Sequence, residues 1–419
     1  MREMKDSGIE WVGQIPKGWE LRRAKTLFTQ RNSKGNEIEV LLSPTQKYGV
    51  VPQSQLEGVV QVKEDTDLQM FKTVHKGDFV ISLRSFQGGF EYSLYEGVCS
   101  PAYQVFYPTS PICDTYYRYL FKSQSFISKM NNLTVGIREG KNIQYVDFAN
   151  SQIPVPPLAE QERIAAFLDA ECAEIDAVLE KTRASIEEYK KLKQAVITQA
   201  VTKGIRGDRP MKDSGIEWIG DIPAEWDVVR IKNLFDYRNE RNFRPLDEVN
   251  LISLYTDKGV VQHCDLEETT GNKAYNADGY KLVYENDIVV NIILCWMGAI
   301  GRSAYYGVTS PAYDVYSPKQ GINSKFYHYL FRTNGFSGDC YKVGRGIMAM
   351  RWRTYSDQFR AIKVVFPSQS EQEEIIKYLD EKCAGIDALI TKKQQYLTEI
   401  ENYQKSLIYE YVTGKKEVV

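Results

Sequence analysis

The chain has 419 residues, of which 43% are hydrophobic and 26% are charged, and its formal net charge at pH 7 is −2. This length allows two or more domains with their own cores, and the composition is that of a soluble globular protein. The near-neutral charge excludes a polycationic nucleic-acid binder, so any contact with DNA must come from local basic patches or from a partner.

Cysteine and histidine usage gives no sign of a metal site or of secretion. The seven cysteines form no CxxC pair, and the three histidines (His75, His263 and His328) lie far apart in sequence. This pattern predicts buried free thiols in a reducing cytoplasm. The polar N-terminal segment does not resemble a signal peptide, and no apolar run approaches 18 residues, so we expect a cytoplasmic protein without a membrane span.

The first feature along the chain is an internal duplication. Residues 4–32 and 211–239 are identical at well over half of their positions, and the similarity continues through 97–108 and 307–318. Short runs of Val, Ile, Tyr and Phe, broken by Gly, Pro and Asn, are typical of strands. Each half is therefore predicted to be a mixed α+β domain of about 150 residues. The tryptophan pairs Trp11/Trp19 and Trp218/Trp226 are predicted to anchor the two cores.

A second repeat follows each domain, at 156–204 and 367–415. At an offset of 211, Leu168, Cys172, Ile175, Leu179, Ile186 and Val196 fall on Leu379, Cys383, Ile386, Ile390, Leu397 and Leu407. Steps of four and three residues predict a long helix that buries one seam against another helix. Gly204 and Gly414 are placed to end the two helices, and Ser368 with Glu371 has the spacing of a capping box.

The linkers between these segments are short, so neighbours in sequence must be neighbours in space. The second helix then packs on the first only in the antiparallel direction, and its last turn near Val412 returns to the region of Met4. The predicted fold is α+β, with two similar mixed α/β domains joined by two long antiparallel helices in pseudo-two-fold symmetry. The predicted boundaries are 1–157 for the first domain, 158–208 for the first helix, 209–367 for the second domain and 368–419 for the second helix.

Sequence motifs of catalysis are missing. The segment 136–142 has the wrong spacing for a phosphate-binding loop and no Ser or Thr after its lysine, and no HExxH, GxSxG or GxGxxG occurs. We therefore expect no catalytic residue, metal or cofactor in this chain.

Two short stretches combine basic, amide and aromatic side chains, and a Gly-rich loop and its counterpart add to them. The candidate DNA-binding residues are Arg84, Gln87, Arg138, Lys141, Asn142 and Gln144 in the first domain, and Trp296, Arg302, Arg345, Arg351, Trp352 and Arg353 in the second. Arg, Asn and Gln bond base edges bidentately, and Arg and Lys neutralise phosphates. The alternative interpretation is a solvated surface or, for the tryptophans, a place in the core.

The chain resembles the specificity (S) subunit of type I restriction–modification systems. GIEWVGQIPKGW and GIEWIGDIPAEW at the domain starts and IPVPPLAEQERI at 153–164 carry the resemblance, and the alternation of domain and helix covers the whole chain. The second junction departs from the pattern, with Val365 and Ser368 where the first has Pro154 and Pro157.

This resemblance implies that each domain is a target-recognition domain that reads one half of a split double-stranded DNA site. It implies that the paired helices act as a spacer and dock two methyltransferase (M) subunits, which carry S-adenosylmethionine and usually methylate adenine. Two restriction (R) subunits, with ATP and magnesium, complete the complex. Two other functions stay open at this point: a non-DNA coiled-coil scaffold that assembles proteins, and a self-sufficient DNA enzyme.

Overall fold

The computed structural model describes residues 2–35, 40–56, 68–82, 89–133, 143–265, 276–346 and 352–418. Its contacts divide the chain into two compact units. Unit 1 combines residues 1–183 with 394–419, and unit 2 comprises residues 184–393. Each unit thus contains one α+β domain and one half of each long helix, so this division crosses the helices that the sequence treats as separate segments.

The strands of the two units follow one pattern. In the described part of unit 1 they are β1 Met4–Asp6, β2 Gln14–Pro16, β3 Glu20–Arg23, β4 Phe28–Arg31, β5 Leu42–Thr45, β6 Gly49–Pro52, β7 Lys72–Val74, β8 Phe79–Ile81, β9 Phe90–Tyr92, β10 Gly97–Cys99, β11 Gln104–Pro108 and β12 Gln152–Val155. In that of unit 2 they are β13 Met211–Asp213, β14 Asp221–Pro223, β15 Asp227–Arg230, β16 Phe235–Arg238, β17 Ile252–Tyr255, β18 Gly259–Gln262, β19 Lys281–Val283, β20 Ile288–Asn291, β21 Ile300–Arg302, β22 Gly307–Thr309, β23 Tyr313–Pro318 and β24 Lys363–Phe366.

The helices repeat in the same way. They are α1 Asp114–Lys122, α2 Gln124–Leu133, α3 Tyr145–Asn150, α4 Leu158–Lys203, α5 Ser324–Phe331, α6 Asn334–Val343, α7 Ser356–Ala361 and α8 Gln369–Val412. The two long helices have 46 and 44 residues, so each is roughly 65–70 Å long. No helix in the described ranges is both long enough and apolar enough to cross a membrane.

An antiparallel four-stranded sheet forms the centre of each domain, with the order β4-β11-β8-β9 in unit 1 and β16-β23-β20-β21 in unit 2. One face of each sheet is covered by aromatic side chains from the short helices. In unit 1, Phe106 of β11 packs on Phe148 of α3 at a centroid distance of 4.7 Å, and in unit 2 Tyr316 packs on Phe359 at 5.0 Å. The repeated sequence therefore produces the repeated core.

The predicted tryptophan anchors are buried as expected. Trp19 and Trp226 are fully buried, whereas Trp11 and Trp218 are half-buried against the two cores. All seven cysteines lie in the described part of the chain, and none forms a disulfide. Five of them are buried, but Cys113 is only partly buried and Cys264 is exposed in a surface 3-10 turn after β18, which corrects the prediction that all the thiols are buried.

In each unit the two long helices pack antiparallel along the predicted seam. In unit 1 the Gln404 amide donates to Asp176 Oδ1 at 3.0 Å, and Arg183 pairs with Glu401 at 2.6 Å. In unit 2 Lys193 pairs with Asp387 at 2.6 Å. Buried seam positions run Cys172, Leu179 and Ile186 on α4, and Cys383, Ile386 and Ile390 on α8. The sequence prediction of an antiparallel coiled coil is confirmed.

A duplicated buried cluster, here called the joint, ties each domain to the first turn of its long helix. In unit 1, Glu160 accepts from Trp19 Nε1 at 3.0 Å and pairs with Arg2 at 2.5 Å. In unit 2, Glu371 accepts from Trp226 Nε1 at 2.8 Å and pairs with Arg209 at 2.5 Å.

Further bonds at each joint come from the neighbouring glutamine and aspartate. Gln161 accepts from the Cys113 amide at 2.9 Å, and Asp169 accepts from Tyr119 Oη at 2.7 Å. In unit 2, Gln372 accepts from the Asn323 amide at 3.4 Å, and Asp380 accepts from Tyr329 Oη at 2.8 Å. The Glu, Gln and Asp residues that both long helices share near their starts therefore hold each domain against its helix.

This arrangement corrects the expected capping box at the start of α8. The Glu371 amide donates to Ser368 Oγ at 3.4 Å, but the Glu371 carboxylate does not return to the Ser368 backbone, because Arg209 and Trp226 occupy it.

The far ends of the long helices also contact the domains. Gly204 and Gly414 have φ values of +75° and +71°, which end the helices as predicted. In unit 1, Lys415 follows the end of α8, and its Nζ donates to Val12 O at 2.6 Å. In unit 2, Lys203 is the last residue of α4, and its Nζ donates to Ile219 O at 2.9 Å. A Cβ on Gly414 would lie 2.5 Å from Pro16, the strand partner of Met4, so the last turn lies beside Met4 as expected.

Candidate nucleic-acid interface

Unit 2 gathers several of the predicted DNA-binding residues at one surface. Arg345 and Arg353 form a backbone bridge through reciprocal hydrogen bonds of 2.9 and 3.0 Å. The Thr354 amide anchors this bridge by donating to Ile292 O at 2.9 Å, and its Oγ1 donates to Cys340 O at 2.9 Å. Arg351 lies outside the described residues.

Three aromatic rings lie beside this bridge, and we call them the aromatic patch: Trp296, Tyr341 and Trp352. Tyr341 stacks on Trp352 with centroids 4.9 Å apart and an interplanar angle of 22°, and it contacts Trp296 at 5.6 Å. Trp352 Nε1 donates to Tyr341 O at 3.1 Å. Tyr341 is 49% exposed, so the patch offers a ring face to solvent, whereas Trp296 and Trp352 are half-buried.

One glycine is required for this packing. A Cβ on Gly344 would lie 2.4 Å from Trp352 Nε1, so a larger residue there would displace the indole. The adjoining open pocket has a volume of about 440 Å³ and is lined by Trp296, Met297, Asn334, Ser337, Gly338 and Tyr341. Burial raises the pKa of the Cys340 thiol, which lies beneath the patch, so this group stays neutral near pH 7.

The patch carries positive charge at its rim. The Arg345 and Arg353 side chains are exposed, and neither guanidinium forms an ion pair with any residue in the described ranges. Guanidinium groups that lack an ion pair within those ranges, beside the exposed ring of Tyr341, suit a surface that contacts phosphates and stacks on bases.

Arg302 lies apart from the patch. Its guanidinium donates to Asn286 Oδ1 at 2.9 Å, and its backbone amide donates to His328 Nδ1 at 3.1 Å. Burial and the neighbouring cations lower the pKa of His328 to about 3, so this imidazole is neutral and accepts that bond. Arg302 therefore has structural partners within its own unit, which the Gly-rich spacing in the sequence could not indicate.

Gln144 is the described member of the candidate set in unit 1. It is exposed at the N-terminal boundary of α3, and its Oε1 accepts from Gln104 Nε2 at 3.3 Å. Arg84, Gln87, Arg138, Lys141 and Asn142 lie outside the described residues. Tyr341, Gln104 and Gln30 were not among the candidates predicted from sequence, because each lies in a regular element whose pattern predicts only packing.

Among the described residues, no group of three or more His, Cys, Asp or Glu side chains is arranged to hold a metal ion. The aromatic patch of unit 2, with Arg345 and Arg353 beside it, has side chains suited to binding nucleic acid.

Comparison with known proteins decides the family. The model of the type I restriction modification DNA specificity domain matches twice, at residues 16–188 and 223–399. The chain belongs to this family. Each match spans one domain and most of the long helix that follows it, as the repeat in the sequence suggested.

Relatives of this specificity-domain protein cover both parts of the chain. This chain is 24% identical over 442 aligned positions to the putative type I restriction enzyme MjaX specificity subunit of Methanocaldococcus jannaschii. The alignment covers 97% of this chain and 96% of the relative. The chain is 25% identical over 306 residues to the MjaVIII specificity subunit of the same organism, covering 67% of this chain and 66% of that relative.

Solved structures support the fold. A chain from a structure on complex assembly and conformational transition of the type I R-M system has a TM-score of 0.72 at 15% identity, covering 96% of this chain and 99% of that chain. The HsdS subunit from Thermoanaerobacter tengcongensis has a TM-score of 0.52 at 16% identity, covering 96% and 98%. The family assigns DNA sequence recognition to this chain, and the non-DNA scaffold is not favoured.

Proposed function

We propose that this chain is the DNA-reading subunit of a type I restriction–modification complex, with one half of a split site read by each domain. The observation that carries the proposal is the double match of the DNA specificity domain, one copy to each α+β domain. The two domains share their frame but differ in the side chains at their loops, so we expect two different half-sites.

In unit 2 the aromatic patch, with Arg345 and Arg353, supports contact with the second half-site. Arginine supplies phosphate neutralisation or bidentate contact with guanine, and the exposed Tyr341 ring supplies apolar contact. In unit 1 the corresponding role falls to Gln144, with Arg84, Gln87, Arg138, Lys141 and Asn142 as further candidates.

The outer surfaces of the long helices support docking of two methyltransferase subunits. On α4, Val178 and Leu192 are 41% and 48% exposed; on α8, Leu389 and Tyr403 are 44% and 56% exposed. Val178 matches Leu389 and Leu192 matches Tyr403 at the offset of 211, so each helix presents the same apolar positions. Apolar side chains outside a coiled-coil seam are typical of protein interfaces, and their duplication favours two equivalent partners.

The chemistry in this proposal belongs to the partners. The methyltransferase subunits bring S-adenosylmethionine, and the restriction subunits bring ATP and magnesium, while this chain binds and orients DNA. The half-site gap is set by the length of the paired helices in this scheme.

The test is to co-express the chain with its methyltransferase and to map methylated adenines across a genome by single-molecule sequencing. We expect two short defined blocks separated by a fixed undefined gap. A Trp352→Ala/Arg353→Ala variant should relax one block and leave the other unchanged, whereas Arg230→Ala, which removes an exposed arginine from β15, should leave both blocks intact.

A continuous short motif would contradict the two-reader scheme, since it would mean that a single domain reads DNA. Absence of methylation with a methyltransferase that is active on another specificity subunit would contradict the proposed function itself.

A further inference from the structure

Three glutamines form a hydrogen-bonded row in unit 1. Gln30 lies on β4, Gln104 on β11 and Gln144 at the boundary of α3. Gln30 Nε2 donates to Gln104 Oε1 at 2.6 Å, and Gln104 Nε2 donates to Gln144 Oε1 at 3.3 Å. Gln30 and Gln104 are half-buried and Gln144 is exposed, so the row leads from the edge of the core to the surface.

The backbone on both sides of the row is fixed. Gln30 lies opposite Phe106 in the ladder between β4 and β11, and Gln104 lies two residues before Phe106 on the same face. Tyr145, which follows Gln144, donates its hydroxyl to Phe28 O at 2.8 Å and so fixes the start of α3 to β4. The amides are thus held by rigid elements.

The bonds within the row orient the amide at its exposed end. A carboxamide has two N–H donors and two acceptor sites on its oxygen. Gln144 uses one acceptor site of Oε1 for Gln104, and among the described residues it keeps both donors of Nε2 and the other acceptor site. An adjacent donor and acceptor on one amide match N7 and the N6 amino group of adenine in the major groove.

Unit 2 has different chemistry at the equivalent positions, which are Tyr237, Asp314 and Tyr355. Lys281, itself buried, pairs with Asp314 Oδ1 at 2.8 Å, and Tyr316 Oη donates to Asp314 Oδ2 at 3.3 Å. Both carboxylate oxygens of Asp314 are therefore engaged inside the protein. In unit 1 the residue in place of Tyr316 is Phe106, which has no hydroxyl, so Gln104 remains available to hold Gln144.

We propose that Gln144 contacts an adenine in the half-site of the first domain, and that Gln104 and Gln30 are positioning residues that orient its amide. The inference rests on the proposed function and adds to it a base and the two positioning residues. The closed Asp314 network predicts that unit 2 reads its half-site without such a row.

The experiment maps the methylated motif for the wild type and for Gln144→Ala, Gln104→Leu and the double variant, each co-expressed with the methyltransferase. Gln144→Ala should relax one A·T position of one block by about tenfold. Gln104→Leu should relax the same position by less, and the double variant should equal Gln144→Ala, because Gln104 acts through Gln144. Gln152→Ala, an exposed glutamine of β12, is the matched control and should leave the motif unchanged.

The inference is overturned if Gln144→Ala leaves every position unchanged, or if Gln104→Leu lowers methylation at all sites equally with the motif preserved. The second outcome would assign the row to folding alone. A wild type that yields no split motif would instead overturn the proposed function, so the two failures are distinguishable.

Discussion

Glu91 on β9 is a carboxylate with an unusual environment. It is almost fully buried, its Oε1 pairs with Lys122 at 2.5 Å, and its Oε2 has no hydrogen-bond partner among the described residues. Burial outweighs the lysine and raises the pKa of Glu91 from 4.5 to about 7. The folded state thus retains a proton that the unfolded state releases between these two pH values.

This proton makes the stability of unit 1 fall as the pH rises from 4.5 to 7, since the unfolded state binds fewer protons there. We expect the unfolding free energy of the wild type, measured relative to a Glu91→Gln variant, to fall by on the order of 2 kcal/mol between pH 5 and pH 8. Denaturant unfolding at both pH values checks this. Glu20→Gln, on exposed β3, is the control, and a wild-type-minus-variant difference that does not change with pH would contradict the prediction.

Individual residues differed in how far the sequence could place them. The positions of Gly204, Gly414 and Trp19 were predictable from local sequence. A glycine after a long helical pattern indicates a helix end with positive φ, and a tryptophan repeated in both domain starts indicates a buried indole. The partners of Arg302 and the Gln30–Gln104 bond were not, because they depend on side chains brought together from distant strands.

At the scale of elements, the two joints explain why the helix starts share Glu, Gln and Asp. Acidic residues at a helix start predict an interaction with the helix dipole. In the structure Glu160 and Glu371 also bind an arginine and a tryptophan of the preceding domain. The existence, length and buried seam of the two helices were predictable from the spacing of apolar residues. The joint was not, because its contacts depend on which domain surface meets the first turn of the helix.

Breaking one joint should destabilise its own unit. Glu371→Gln preserves the size of the side chain but leaves Arg209, which is 10% exposed, without its main carboxylate. Loss of one partner from a buried ion pair costs about 3 kcal/mol, so we expect a drop of this order in the stability of unit 2. Hydrogen exchange at the first turn of α8 and denaturant unfolding measure it.

Glu374→Gln is the matched control on the same helix turn, because within the described part of the chain Glu374 pairs only with the exposed Arg206 and its loss should change stability little. Equal effects of the two substitutions would show that the joint contributes no more than a surface ion pair.

At the scale of the whole molecule, each unit is assembled from parts that are distant in sequence. Unit 1 needs residues 394–419 as well as residues 1–183. The duplication makes the two units equivalent in their contacts, since Arg2 matches Arg209 and the lysine at each helix end binds a matching carbonyl. The short linkers in the sequence predicted this assembly because they permit only one direction of helix packing.

The units differ in one covalent connection. In unit 2 four residues join Gly204 to Arg209, whereas in unit 1 Gly414 and Arg2 are not joined. Fusing residue 419 to residue 1 would place six residues between Gly414 and Arg2. Four residues are enough to join the equivalent positions in unit 2, so the fused link is long enough. New ends between Gly207 and Asp208 would then transfer the open connection from unit 1 to unit 2.

We expect this circular permutant to fold with all contacts of both joints. Unit 1 gains a link that restricts its unfolded state and unit 2 loses one, so their unfolding midpoints should move in opposite directions by roughly 2–4 °C. Thermal unfolding followed by hydrogen exchange in each unit measures the shifts. A permutant opened between Glu187 and Glu188 is the control, because that break interrupts the continuous α4 and its seam. If both permutants lost structure equally, the contacts at the helix ends would not be sufficient to hold unit 1 together. The two units would then be equivalent in sequence but not in stability.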